Sequence, residues 1–288
     1  MKYVLHNGAL ISAEKAHLPI SRREVLFSFG IYESLKVRGG VSLFVEEHLE
    51  RLSESARILE LQYPYDQAHF IEAIQRLIDA NRLEDATLRI QMFGGDEPFY
   101  YVVPFPLPRY PRWYYNEGVA TISYEGERVM PRAKSNCLLL NYIALREAQR
   151  RDAVEALLVN RNGDALEGTR SNLYALQDGT LITPEEDVLY GVTRKHILEW
   201  FEQEGYPLRY APLPQKALLN CEYDGVFISS TSMGAVPVRQ IDMVEMPPLN
   251  SESGFGDVIT RINQHLEQKE IREIVSHAAS RQPKQRKF

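Results

Sequence analysis

Four stretches of this 288-residue chain carry side chains in patterns that could do chemistry. Lys134 precedes a run, from Leu138 to Arg151, with the apolar spacing of a helix, and Glu167 lies among short strands, followed by Gly168. Gly191-Val-Thr-Arg194 stands between a turn-rich segment and an amphipathic helix, and Ser229-Ser-Thr-Ser-Met-Gly234 follows the apolar run Val226-Phe-Ile228. A lysine in partly apolar surroundings loses basicity, as attack on a carbonyl carbon requires. Backbone N–H groups at a helix N-terminus favour phosphate, and hydroxyls at a strand end add further donors. A carboxylate inside a sheet costs free energy unless it meets a cation or a donor, and a protonated ring nitrogen is such a partner. Amine, phosphate donors and carboxylate are the three parts that pyridoxal-phosphate chemistry asks of a protein. Singly, each also reads as ordinary: a surface lysine, a solvent-facing glutamate, a helix capped by Thr193, a polar loop.

The elements that must position these residues are legible in outline. Tyr3-Val-Leu-His-Asn-Gly-Ala-Leu-Ile11 and residues 34–45 predict hairpins turning at Asn7-Gly8 and Gly39-Gly40, pairs that accept positive φ. Leu49, Leu52, Ala56 and Leu59 predict one helix, and Phe70, Ile74, Leu77 and Ile78 a second. Strands are expected at 88–92 and 99–103. Prolines at 104, 106, 108 and 111 predict an extended connector in place of helix or central strand. Beyond it come the helix after Lys134, a meander over 155–182 turning at Asn162-Gly163 and Asp178-Gly179, and a helix from 192 to a cap at Gly205. The expected organisation is a first lobe over 1–106, a proline-rich linker over 107–115 and a second lobe over 116–288. The fold class is α+β: a smaller α/β lobe and a larger lobe with a meander or barrel-like sheet and flanking helices.

Composition narrows the function classes. A net charge of −6 gives no general attraction to nucleic acid or anionic membrane, and only the tail from Arg281 to Phe288 is locally basic, which reads as a solvated end. Two distant cysteines, Cys137 and Cys221, match no metal-ligand spacing and suit a reducing compartment. No stretch approaches the ~18 apolar residues of a membrane span, and the first residues lack the apolar run of a signal peptide. The expected location is cytoplasmic, with no metal, nucleic acid or membrane as partner.

Together, Glu167-Gly-Thr-Arg-Ser-Asn-Leu-Tyr174, Leu181-Ile-Thr-Pro184 and Leu189-Tyr-Gly-Val-Thr-Arg194 resemble the signature of the class IV, or fold type IV, aminotransferases, which include D-amino-acid and branched-chain aminotransferases and aminodeoxychorismate lyase. The resemblance continues through Tyr32-Glu-Ser-Leu-Lys-Val37, Glu46-Glu-His-Leu-Glu-Arg-Leu52, Lys134-Ser135, Arg146-Glu-Ala148 and Phe227 to Pro237-Val238, in family order. It implies pyridoxal 5'-phosphate as cofactor, Lys134 as the Schiff-base lysine and proton shuttle, and Glu167 on the ring nitrogen. Arg51, Val192, Thr193, Ser230 and Thr231 would hold the phosphate, and Leu189 would pack on the ring. It further implies a homodimer with shared sites, and ping-pong transfer between an amino donor and a 2-oxo acid.

Departures from the family pattern bear on the substrate. Only five residues separate Thr183 from Leu189, and Phe27-Ser-Phe-Gly30 stands where the family usually has Gly-Asp-Gly. Leu139 replaces the tyrosine of branched-chain enzymes, which turns the expectation toward the D-amino-acid type. Cys137-Leu138 replaces the Asn-Arg common in the lyases. The carboxylate-binding arginine of D-amino-acid enzymes has no counterpart in Gln91-Met-Phe-Gly-Gly95. The substrate-side candidates are Arg170, whose planar fork suits a carboxylate, with Tyr32, Lys36 and Ser232. A lyase releasing pyruvate from aminodeoxychorismate is the alternative, and a cofactor-free binding protein on the same fold a distant one.

Overall fold

The structure is a computed structural model that describes residues 1–250 and 252–281, with the side chains of 280 and 281 outside the description. The basic tail therefore lies outside the described residues, apart from the backbone of Arg281. Among the described residues two compact units are present, 1–108 with 267–281, and 109–266.

The first unit contains β1 (Tyr3–His6), β2 (Ala9–Ser12), α1 (Arg23–Leu26), β3 (Gly30–Arg38), β4 (Val41–Ser42), α2 (Val45–Ile58), α3 (Gln67–Asn81), β5 (Ala86–Phe93) and β6 (Phe99–Phe105). Its six strands run in the order β2-β1-β6-β5-β3-β4. Strict alternation along β3 buries Ile31, Glu33, Leu35 and Val37 against the apolar stripes of α2 and α3, and turns Tyr32, Ser34 and Lys36 to the other face. Each fully buried leucine or isoleucine of that layer contributes about 2 kcal/mol. Asp66 caps α3 by accepting from His69 N at 2.8 Å. Gly39 and Gly40 make the expected turn with φ of 56° and 75°. The returning strand β4 is only two residues long, because Phe44 adopts a left-handed conformation and starts α2 at Val45.

Pro104 corrects the expectation of a plain connector, since β6 runs through it and pairs Leu88 with Pro104 in register. On its other side β6 meets β1 only at Val102 and Tyr101, so the N–H that proline lacks is not needed there.

The second unit contains α4 (Trp113–Asn116), β7 (Val119–Glu125), α5 (Leu139–Arg150), β8 (Glu155–Val159), β9 (Asp164–Gly168), β10 (Asn172–Gln177), β11 (Thr180–Thr183), α6 (Val192–Gln203), β12 (Leu208–Tyr210), β13 (Leu213–Pro214), α7 (Gln215–Leu219), β14 (Gly225–Ser230), β15 (Gly234–Ile241), β16 (Val244–Glu245) and α8 (Phe255–Arg281). α4 and the half-buried Tyr110, Tyr114 and Tyr115 give the expected linker over 107–115 a structured part. Strands β10, β14, β15, β7, β8 and β9 pair in sequence, and β9 pairs back to β10 through Glu167 and Asn172, which closes a six-stranded ring. Residues alternate between the ring's interior and its outer layer. On β10, Leu173 and Ala175 join the inner cluster, while Tyr174 and Leu176 pack with α6 and α8. On β8, Leu157 and Val159 point in, while Ala156 and Leu158 pack beneath α5. Burial on both faces explains why β8 and β10 read as apolar runs.

α8 contributes Phe255, Val258, Ile259, Ile262 and Leu266 to a core of the second unit, and from Glu267 on it counts with the first. In the first unit Glu270 takes Lys36 Nζ at 2.7 Å and Arg38 Nη1 at 2.9 Å. The expected second lobe over 116–288 thus differs from the compact unit, because charges 234 and 232 residues apart in sequence had no visible partner there. No helix among the described residues is long and apolar enough to cross a membrane.

Candidate functional site

Glu167 owes its orientation to a β-bulge. Leu157 pairs with Gly168 and Leu158 with Glu167, but Val159 pairs with Ala165, so Leu166 is an extra residue on β9. Ala165 points into the ring beside Val159; without the bulge Glu167, two residues on, would do the same. Instead it lies opposite Leu158 on the outer layer, and across the seam from Asn172. Asn172 continues the row to Ser229 on β14, the residue before Ser230. One line across three strands therefore joins the candidate carboxylate to the hydroxyl-rich loop.

The segment 189–194 is fastened to the same row. Leu189 N donates to Glu167 Oε2 at 3.0 Å, and Asn172 Nδ2 donates to Leu189 O at 2.7 Å. A side chain on Gly191 would meet Asn172 Oδ1 at 2.2 Å, so only glycine allows this approach. Gly191 is the N-cap of α6 and supplies no side-chain cap, which leaves the first N–H groups, from Val192 and Thr193 on, without intrahelical acceptors. Across the loop, Ser230 and Ser232 hydroxyls lie 3.4 Å apart, Tyr110 Oη meets Ser232 Oγ at 2.9 Å, and Tyr115 Oη donates to Met233 O at 2.9 Å. Thr231, between them, is half-buried.

Lys134 is half-buried on the segment between β7 and α5, and its charge acts on Glu167. Burial pushes the Glu167 carboxyl above the usual carboxylate range, against the opposing pull of Arg128, the Leu189 N–H and Lys134, and with a further upward push from Glu155. Arg128 Nε lies 3.1 Å from Glu167 Oε1, yet neither atom makes a hydrogen bond. The carboxylate is thus buried, near two cations, and under-bonded at one oxygen.

Glu155 shows the contrast within the same sheet. It is fully buried and accepts from Ala156 N, from Thr169 N and Oγ1 and from Ser171 Oγ, which holds the turn over 168–171. Arg170, expected at the substrate, is half-exposed and points to this group: Nε is 3.6 Å from Glu155 Oε2 and Nη2 donates to Val154 O at 3.1 Å.

Within the first unit, Arg51 is committed to Glu33, with Nε 2.7 Å from Oε1 and Nη2 2.8 Å from Oε2, and His48 Nδ1 at 2.8 Å completes the cluster. Lys36 pairs with Glu270. Tyr32 is covered by the guanidinium of Arg89, 3.9 Å above its ring, while Arg89 Nε donates to Gln91 Oε1 at 2.9 Å.

The second unit therefore assembles Glu167, Leu189, Val192, Ser230 and the charge of Lys134 around one row of strand residues. These groups fit pyridoxal phosphate. Glu167 Oε1, buried without a hydrogen bond, suits a protonated ring nitrogen, and the uncapped start of α6 suits a phosphate. Arg128, Asn172, Glu155 and Arg89 were not singled out from the sequence. Arg128 sits in a loop with no periodicity, and only its burial beside Glu167 distinguishes it from the other arginines.

The chain is similar to known proteins in both sequence and fold. Residues 30–241 match the family described as amino-transferase class IV. A D-alanine aminotransferase of Staphylococcus epidermidis is 31% identical over 96% of this chain and 100% of that one. The fold matches that of a branched-chain aminotransferase from Thermoproteus uzoniensis, with a TM-score of 0.82 at 22% identity over 94% of this chain and 97% of that one. A hypothetical aminotransferase from Mycobacterium tuberculosis in a PLP-bound form gives a TM-score of 0.77 at 24% identity, over 90% and 97%.

Proposed function

Because this chain belongs to the class IV aminotransferases, and so moves an amino group between an amino acid and a 2-oxo acid, we propose that it does so with pyridoxal phosphate held on Lys134. The observation that carries this reading is Glu167, a buried carboxylate with an under-bonded oxygen, electrostatically coupled to Lys134 and hydrogen-bonded by Leu189. When bound, the cofactor supplies an electron sink for the substrate's α-carbon. Lys134 takes and returns the proton at that carbon, and Glu167 keeps a proton on the ring nitrogen. The N–H groups of Val192 and Thr193 and the hydroxyls of Ser230 and Thr231 hold the phosphate, and Leu189 packs on the ring. Arg170, by exchanging its contact with Glu155, and Ser232 receive the substrate carboxylate. The roles given to Arg51, Tyr32 and Lys36 are part of the same proposal, supported by the family resemblance.

A D-amino acid is the favoured donor, supported by the D-alanine aminotransferase relative and by Leu139. A homodimer is supported by the exposed Ile20, Leu26 and Phe27 of the first unit, and a cytoplasmic location by two exposed cysteines free of disulfide. The test is a panel of D- and L-donors against pyruvate and 2-oxoglutarate, with Lys134→Ala as blank. The expected result is a visible absorption band absent from Lys134→Ala and turnover at least about 1,000-fold above it. Turnover retained by Lys134→Ala sinks the mechanism, and preference for L-donors sinks the substrate assignment.

A further inference from the structure

Arg128 touches both Glu167 and the turn that leads into Lys134. Its side chain is 10% exposed, with Nε 3.1 Å from Glu167 Oε1. Its Nη2 donates to the carbonyl of Pro131 and, at 3.2 Å, to that of Ala133, the residue before Lys134. The turn between them is closed by Ala133 N donating to Met130 O at 2.9 Å, with Met130 in the left-handed region at φ 50°. A non-glycine residue in that region costs free energy and persists only where its surroundings hold it. Arg128 supplies that hold by filling two carbonyls of the turn with donors.

We propose that Arg128 is a positioning residue that ties the Lys134 turn to the Glu167 carboxylate, so that one guanidinium sets the place of both the amine and the acid. The charged groups that act on Glu167 are Arg128, Lys134 and Glu155, and Arg128 exerts the largest pull toward the ionised form. A short lysine cannot reproduce the fork: it keeps the charge but not simultaneous contact with a carboxylate and two carbonyls.

The proposal rests in part on the cofactor reading, so its test has one arm with pyridoxal phosphate and one without. In the first, wild type, Arg128→Met and Arg128→Lys are reconstituted with pyridoxal phosphate, and affinity and visible absorption are followed against pH. Loss of the positive charge from the turn that leads into Lys134 should raise the midpoint of the absorption change by about one unit in Arg128→Met. Arg128→Lys should titrate like wild type but bind the cofactor on the order of tenfold more weakly, through lost geometry alone. In the second arm, chemical unfolding of the cofactor-free proteins is measured across pH. Without Arg128 the Glu167 carboxyl rises further above its unfolded value. The folded state then holds a proton that the unfolded chain has released, and stability falls with rising pH more steeply than in wild type. Adding Glu167→Gln should remove that extra slope. Wild-type-like titration and pH slope in Arg128→Met, or an extra slope that survives Glu167→Gln, would overturn the proposal. Should wild type itself take up no pyridoxal phosphate, the cofactor reading fails and the cofactor-free arm decides the role of Arg128.

Discussion

Each unit buries a glutamate beside an arginine, and the two pairs are built differently. Glu33 in the first unit has both oxygens engaged by Arg51, with His48 and the Ser34 N–H adding to one of them. Arg51 and His48 together outweigh the cost of burial and hold its carboxyl well below the usual range. Glu167 in the second unit has one oxygen bonded by Leu189 and the other only near Arg128, and its carboxyl is pushed above the usual range. A saturated buried carboxylate stabilises a fold, whereas an under-bonded one is kept at a cost in stability and has capacity left for a ligand. The difference teaches that burial and an arginine neighbour do not by themselves decide how well a carboxylate is satisfied.

Deleting Leu166 should have the largest effect on this comparison, because removing the bulge returns Glu167 to the interior of the ring. Pyridoxal phosphate uptake, read by absorption, is expected to vanish, while Leu166→Ala, which keeps the extra residue, retains it. Uptake by the deletion variant would show that the bulge does not aim Glu167. Glu33→Gln comes next: it strands Arg51 with half its partner and should lower stability by about 3–5 kcal/mol in denaturant melts. Glu167→Gln should do the reverse, cutting kcat by about 100-fold while leaving the cofactor-free protein as stable as wild type at neutral pH, since the variant is spared the desolvated charge. A large stability loss in Glu167→Gln would make the two pairs alike.

The smallest expected effect is on acid tolerance. Glu33 has a folded value below its unfolded one, so its contribution is complete above the unfolded carboxylate value and fades as pH falls toward the folded value. Glu33→Gln should therefore flatten the acid side of the stability profile. An unchanged acid limb would mean that Glu33 is not what protonates there.

Local patterns determined most of the element list. The Gly39-Gly40 turn placed the end of β3, the 3.6-residue period placed α2 and α3, and the Asn162-Gly163 and Asp178-Gly179 turns placed the meander, because each signal is complete within a dozen residues. The stretches around Lys134, Glu167, 189–194 and 229–234 were legible for the same reason, as contiguous runs resembling a known family. β7, β15 and the short elements beyond α6 were not read, and Pro104 was read against a strand, since what proline forbids depends on which neighbour lies beside it.

Tertiary structure alone decided the rest. The bulge at Leu166 depends on how β9 registers against β8, the closing of the ring depends on Asn172 meeting Glu167, and the division of α8 depends on Glu270 meeting Lys36 and Arg38. The identity of Arg128 as the partner of Glu167, and of Arg51 as that of Glu33, depends on which charges share a buried space. A sequence lists these groups with their types. Register and pairing are set by contacts between distant segments, so only the folded chain shows which carboxylate is satisfied and which is left under-bonded.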